Sequence, residues 1–343
     1  MSKRRENTFE LGDFELVSGK TLPRARLAYE THGALNEAGD NAILFPTWYA
    51  GKQEGCAAFV GEGKALDPSR YFIVVPNMFG NGASSSPSNT DAPFDRARFP
   101  LITTFDNVSA QHRLLTDHLG VKQLELVIGF STGGQQAFQW AAHHPELVQR
   151  MACICGSSQT SRHTWVFLEG LKRALTADSA WAGGDYESPP EAGLRAFATL
   201  YAGLIASHGF FRENLHLGFI GQELKSTPEF LELVHALIGY AFDANDILAM
   251  LATWQATDIG NHPRFGGSQE RALKSITART CLVPCTHDLL FPLEDSEREA
   301  TAMPDARLAP VDSVWGHLAG HPAIAPSEDL DFIDTQIREL LES

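Results

Sequence analysis

The sequence predicts an α/β fold, a mostly parallel sheet with helices on both faces and an inserted helical block. Three observations carry this. Short apolar, β-prone runs at 42–45, 71–76, 126–128 and 151–155 alternate with helical patterns, as in a parallel sheet wrapped by its crossover helices. The strand signal then fades from about 157 to 269 and returns at 280–284 and 306–310. Finally, the stretch LELVIGFSTGGQQAFQWAAHHPE passes from strand to helix at Ser131, with almost no loop between.

Taken in chain order, residues 9–16 and 24–31 alternate in the manner of an antiparallel hairpin. Strands follow at 42–45 and 71–76. The run 105–119 reads as a helix through Val108, Leu114, Leu115 and Leu119, with Thr103 or Thr104 as its cap. Strand 126–128 leads into helix 135–143, and strand 151–155 comes next. Helical patterns then occupy 166–175, 193–206, 227–240 and 244–257, and a last helix spans 327–341. The expected division is a core of residues 1–156 and 270–343, with residues 157–269 as a helical insertion. No repeat or low-complexity linker breaks the pattern.

Composition bounds the function. A chain of 343 residues with 43% hydrophobic content can bury a large core. Its formal net charge of −15 would be repelled by nucleic acid and by anionic membranes, so neither is expected as a partner. The opening MSKRRENTFELGDFEL has basic residues but no apolar run, so it does not read as a signal peptide. No stretch is apolar for long enough to span a bilayer. Cys56, Cys153, Cys155, Cys281 and Cys285 make an odd number, and the last four lie in apolar segments. They read as reduced core residues of a cytoplasmic protein, with neither a metal nor a cofactor implied.

The strand-to-helix turn is where chemistry is expected. An abrupt reversal forces its apex residue into a strained backbone conformation, and flanking glycines remove the side chains that would collide. Gly129-Phe130-Ser131-Thr132-Gly133 fits the nucleophile elbow, G-x-S-x-G. Its plainer alternative is a tight turn whose serine only caps the helix.

Open α/β sheets place their sites at the carboxyl ends of strands. Asp288 lies just past strand 280–284 in THDLLFP, and His317 follows the next strand in DSVWGHLAGHP. The order Ser131, Asp288, His317 is a recognised order for such a triad, and the 29 residues from Asp288 to His317 leave room for one helix and one strand. His321 and His287 are rivals for the base, Asp295 and Asp312 for the acid. An oxyanion hole needs the N–H after the nucleophile, here Thr132, and one from the loop after strand 42–45. That loop reads PTWYAGKQEG, with Tyr49 favoured and Trp48 next.

The chain resembles the homoserine transacetylase superfamily, within the α/β hydrolases, over nearly its whole length. Beyond the elbow, the matching segments are NAILFPTWYAG, YFIVVPNMFGNG and FPLITTFDNVSAQHRLLTDHLGV. GGDYESPPEAGLRA and FDANDILAML lie in the insertion, and THDLLFP and VWGHLAGHP complete the set. The resemblance implies the α/β-hydrolase fold, a helical lid over a deep pocket and a Ser–His–Asp acyl-enzyme mechanism. It also implies, for many members, a homodimer joined through the lids.

Departures from the family pattern bear on the substrate. The acetyltransferases usually carry a GStGP-type segment where this chain has GNGASSSPS, and HALTG where it has Thr47-Trp48-Tyr49-Ala50-Gly51. They usually place Asp directly after the histidine, where this chain has Leu318. A pocket formed by Trp48, Phe130 and Leu318 offers no partner to an amino-acid ammonium, and an unpaired buried ion costs several kcal/mol. The expected activity is hydrolysis of a small neutral ester, an acetate above all. The alternative is transfer of acetyl from acetyl-CoA to homoserine or another hydroxyl.

Overall fold

The computed structural model describes residues 5–343. Its chain begins as a long hairpin, β1 (Arg5–Glu15) and β2 (Thr21–His32), followed by β3 (Ala42–Leu44) and β4 (Phe72–Pro76). Next come α1 (Thr104–Arg113), β5 (Leu124–Phe130), α2 (Thr132–His143) and β6 (Arg150–Ile154). Between β6 and the next strand lie α3 (Arg162–Thr176), α4 (Glu191–Ile205), α5 (His208–Arg212), α6 (Thr227–Val234), α7 (Ala244–Gln255) and α8 (Gln269–Lys274). The chain ends with β7 (Arg279–Val283), α9 (Leu293–Ala302), β8 (Ala306–Leu308) and α10 (Ser327–Glu342).

All eight strands join one sheet in the order β1-β2-β4-β3-β5-β6-β7-β8. The β1–β2 and β2–β4 pairs are antiparallel, and the rest of the sheet is parallel. Alternation along each strand sends side chains to two separate cores. Leu44, Val74, Val127, Met151 and Leu282 pack with Val108 and Leu114 near α1 and with Phe138 and Trp140 of α2. Ile43, Val75, Leu126, Ile128 and Val283 face the other way, onto Ile333, Ile337 and Leu340 of α10. Each such leucine or phenylalanine, fully buried, contributes roughly 1.5–3 kcal/mol. This is the predicted doubly covered sheet.

Most expected elements are present with shifted ends. The helix read as 105–119 is α1 capped by Thr103, whose side chain and Asp106 form a reciprocal capping box. Its last turn, Leu114–His118, widens to a π-helix, and the Thr116 hydroxyl donates back to His112 O at 2.9 Å. The run read as 227–240 likewise splits into α6 and a π turn at His235–Gly239. The short helices α5 and α8 carry too little periodicity to be read from sequence. Among the described residues, no helix is long and apolar enough to cross a membrane. All five cysteines are buried.

One buried carboxyl ties the sheet to the helical segment. Ser158, just beyond β6, donates its N–H at 2.6 Å and its hydroxyl at 2.7 Å to Glu299 Oε1 of α9. Burial pushes this carboxyl up to about 8, since the charged form has lost its water. The unfolded chain releases the same proton near the ordinary value of 4.5. The folded state therefore holds an extra proton between those values, and stability falls as pH rises through that window and levels off above it. Glu299→Gln keeps the acceptor for Ser158 and removes the titration. Its melting temperature should gain on that of the unaltered protein from about pH 5 to pH 8. Parallel curves for the two proteins would show that this carboxyl does not titrate as described.

Candidate active site

Ser131 stands between β5 and α2 with φ 56° and ψ −125°. A non-glycine residue in that region costs of order 1–3 kcal/mol and persists only where its surroundings hold it. Glycine makes the surroundings available. A Cβ on Gly129 would lie 2.1 Å from the carbonyl of Gly133, and one on Gly133 would lie 2.7 Å from Pro46 O. The last turn of β5, the first turn of α2 and the loop after β3 therefore close on one another around the serine.

His317 and Asp288 meet Ser131 from the far ends of two later strands. His317 Nε2 lies 3.0 Å from Ser131 Oγ, and His317 Nδ1 lies 2.8 Å from Asp288 Oδ2. The three residues lie 186 and 29 positions apart in the chain. Asp288 has no exposed side-chain surface. Its other oxygen accepts the N–H groups of Leu290 at 2.8 Å and Phe291 at 3.1 Å, so the carboxylate is oriented by its own loop. The imidazole is held between rings. Phe130 lies 4.8 Å away on one contact, and Phe291 stacks at 5.4 Å on another, itself stacked on Trp254. With Asp288 on Nδ1, the tautomer that leaves Nε2 free to accept the serine proton is favoured.

The rival residues fall elsewhere. His287 and Asp312 both bond to the Thr286 hydroxyl, and Asp295 pairs with Arg298 on α9. His321 is near, in contact with Phe130 and Trp48, but makes no hydrogen bond to Ser131.

The loop after β3 is fixed by a relay of buried side chains. Trp140 Nε1 donates to Gln111 Oε1, Gln111 Nε2 to Gln136 Oε1, and Gln136 Nε2 to Thr47 O, at 2.8, 2.6 and 2.8 Å. Thr47 Oγ1 accepts the N–H of Met78 at 3.0 Å, and Asn81 Nδ2 reaches Gly51 O at 3.1 Å. GNGASSSPS thus serves partly to brace this loop, through Asn81. The Tyr49 N–H donates at 2.6 Å to the Thr132 hydroxyl. The Thr132 N–H, in the first turn of α2, has no intrahelical acceptor.

Ser131 opens into a cavity of about 200 Å³ lined by Trp48, Tyr49, Phe130, Tyr201, Leu318 and His321, together with apolar residues near α6. Trp48 and Phe130 meet edge to face at 5.5 Å. Leu318 is buried against the helical segment. Burial also raises the Tyr49 phenol well above its usual range, and neighbouring Tyr201 adds to this, so both walls of the cavity stay uncharged. The helical segment is bolted to the histidine loop. Ser207, between α4 and α5, donates its hydroxyl to Val314 O, and a Cβ on Gly316 would lie 2.8 Å from Ser207 N. Gly316 has φ 64°, so glycine is needed there on both counts.

Sequence reasoning missed Tyr201, Trp254 and Phe291, and treated His321 only as a rival base. Phe291 could have been suspected, since it sits in the same THDLLFP turn as Asp288. Tyr201 and Trp254 are ordinary apolar positions of α4 and α7, and nothing local marks them.

Comparison with known proteins shows the family. A family profile described as alpha/beta hydrolase fold matches residues 43–222. The chain is 38% identical to an ethyl acetate hydrolase of Pseudomonas veronii, over 100% of its own length and 98% of the relative's. It is 32% identical to a homoserine O-acetyltransferase of Trichormus variabilis, covering 89% of this chain and 86% of that one. The solved structure of the acetyl esterase MekB superposes with a TM-score of 0.93 at 37% identity, over 99% of this chain and 97% of that one. The chain belongs to the α/β-hydrolase family of enzymes, in the superfamily where acetyl esterases and homoserine O-acetyltransferases meet.

Proposed function

We propose that this enzyme is a serine esterase that hydrolyses small neutral esters, acetates foremost, through an acyl-enzyme. The observation that carries the reading is the hydrogen-bonded series Ser131–His317–Asp288 opening into an uncharged cavity of about 200 Å³. The likeness to an ethyl acetate hydrolase supports it.

In this reading Ser131 Oγ attacks the ester carbonyl while His317 Nε2 takes its proton. Asp288 holds the imidazole and stabilises the imidazolium. The Thr132 N–H receives the developing oxyanion, and the Tyr49 N–H joins it as the Thr132 hydroxyl yields that donor. The tetrahedral intermediate collapses, His317 returns the proton to the departing alcohol, and the acyl group stays on Ser131. Water then attacks by the same route and releases the acid. Residues 157–269 act as a lid, because α4 and the turn after α6 supply cavity wall.

Transfer to homoserine would bring an ammonium and a carboxylate into the same space. Leu318 cannot pair with either ion, and each buried alone costs several kcal/mol. A neutral acetate meets no such cost and gains about 0.8 kcal/mol per buried CH₂.

Ser131→Ala should fold normally and lower kcat by about 10⁴-fold or more, and a phosphonate should label Ser131 in the unaltered enzyme. A nearly full rate in the variant, or label on another serine, would remove the nucleophile assignment. His317→Ala should be nearly as damaging, and Asp288→Asn somewhat less so. If His321→Ala abolishes turnover while His317→Ala does not, the base is His321.

The acceptor is read out separately. With ethyl acetate alone, free acetate should accumulate. With acetyl-CoA and millimolar homoserine, O-acetylhomoserine should not form at a comparable rate, and homoserine should not inhibit ester hydrolysis. Efficient O-acetylhomoserine formation would make the enzyme a transferase.

A further inference from the structure

The cavity beside Ser131 holds polar groups that neither acyl transfer nor the protein's own hydrogen bonding uses, and His321 is the one whose donor is fixed in place. His321 is clamped edge to face by Trp48 and by Phe130, with ring centroids 5.3 Å away in both cases. Its Nδ1 accepts the N–H of Ala323 at 3.1 Å, which places the ring proton on Nε2. The ring lines the cavity, and among the described residues no group accepts from Nε2. Burial, and then the neighbouring His317, depress the imidazole to about 3, so it is neutral at any working pH. The same wall carries the hydroxyls of Tyr49 and Tyr201, and that of Tyr49 is buried without a hydrogen-bond partner.

A donor fixed in an apolar wall discriminates among occupants. Left against hydrocarbon it forfeits a hydrogen bond, whereas an acceptor placed opposite recovers it. Because the donor carries no charge, it suits an uncharged oxygen better than a carboxylate, which would stay unpaired here. An apolar pocket alone separates substrates by size, but a positioned N–H separates those that carry an oxygen from those that do not.

We infer that the ester suited to this cavity carries a second hydrogen-bond acceptor, an ether, hydroxyl or keto oxygen near the ester group, which accepts from His321 Nε2–H. This rests on the esterase reading and narrows its substrate class from small neutral esters to oxygen-bearing ones.

The test compares matched substrates that differ by one CH₂-to-oxygen exchange. Butyl acetate and 2-methoxyethyl acetate probe the alcohol side, and ethyl pentanoate and ethyl 3-methoxypropanoate probe the acyl side. For each pair, the ratio of kcat/KM for the oxygen-bearing ester to that for its carbon counterpart is measured in the unaltered enzyme and in His321→Phe. Taking the ratio in both enzymes cancels the intrinsic reactivity of the ethers. In at least one pair the ratio should fall by about tenfold in the variant. His321→Gln, which keeps an N–H at similar reach, should restore part of it. Where His321→Phe does not fold by circular dichroism, His321→Met serves for the same ratio. Unchanged ratios in both pairs would overturn the inference and leave ester hydrolysis standing. An unaltered enzyme that cleaves none of the four esters would instead remove the esterase reading, and this inference with it.

Discussion

Everything at the site depends on the strained turn at Ser131. Its φ of 56° is tolerable only because three backbone segments meet there with no side chains between them. The strain of roughly 1–3 kcal/mol is carried by the packing of β5 and α2, which are buried over nearly their whole length. Because the serine is built into backbone geometry, its hydroxyl needs no side-chain clamp of its own. The other two members are held differently. Asp288 is set by the amides of its own loop, and His317 by aromatic rings on either side of it. The constellation thus combines a backbone constraint, a turn and a stack, each on a different strand end.

Much of this was legible in the sequence because the decisive signals are local. Gly129, Ser131 and Gly133 stand in one short run, and Asp288 and His317 each follow a strand. The sheet was readable for the same reason, since a buried parallel strand is a continuous apolar run. What stayed hidden is non-local. Tyr201 and Trp254 look like any core residue of an amphipathic helix, and only the packing of α4 and α7 over the sheet brings them to the site. The bond from the Tyr49 N–H to the Thr132 hydroxyl joins residues 83 positions apart and could not be foreseen from either segment. The π turns after α1 and α6 were also beyond reach, because their apolar spacing is that of a continuing α-helix.

The buried glutamine relay ties α1 and α2 to the loop after β3. Trp140, Gln111 and Gln136 pass donors in one direction until the last reaches the Thr47 carbonyl, at the base of the loop that carries Trp48 and Tyr49. Each member donates to the next, so the three bonds order one another. Its value lies in fixing where a backbone amide stands, which is the quantity an oxyanion hole depends on. The same loop supplies the aromatic wall of the cavity, so the relay also bears on its shape.

The bond between Ser207 and Val314, with Gly316 pressed against the Ser207 amide, ties the helical segment to the loop that carries His317. A motion that swung α4 and α5 away from the sheet as one flap would pull on the backbone next to His317. In the proposed reading, the lid and the general base would then share a hinge. Such a motion would, in the proposed mechanism, draw the imidazole away from Ser131 as the cavity opened.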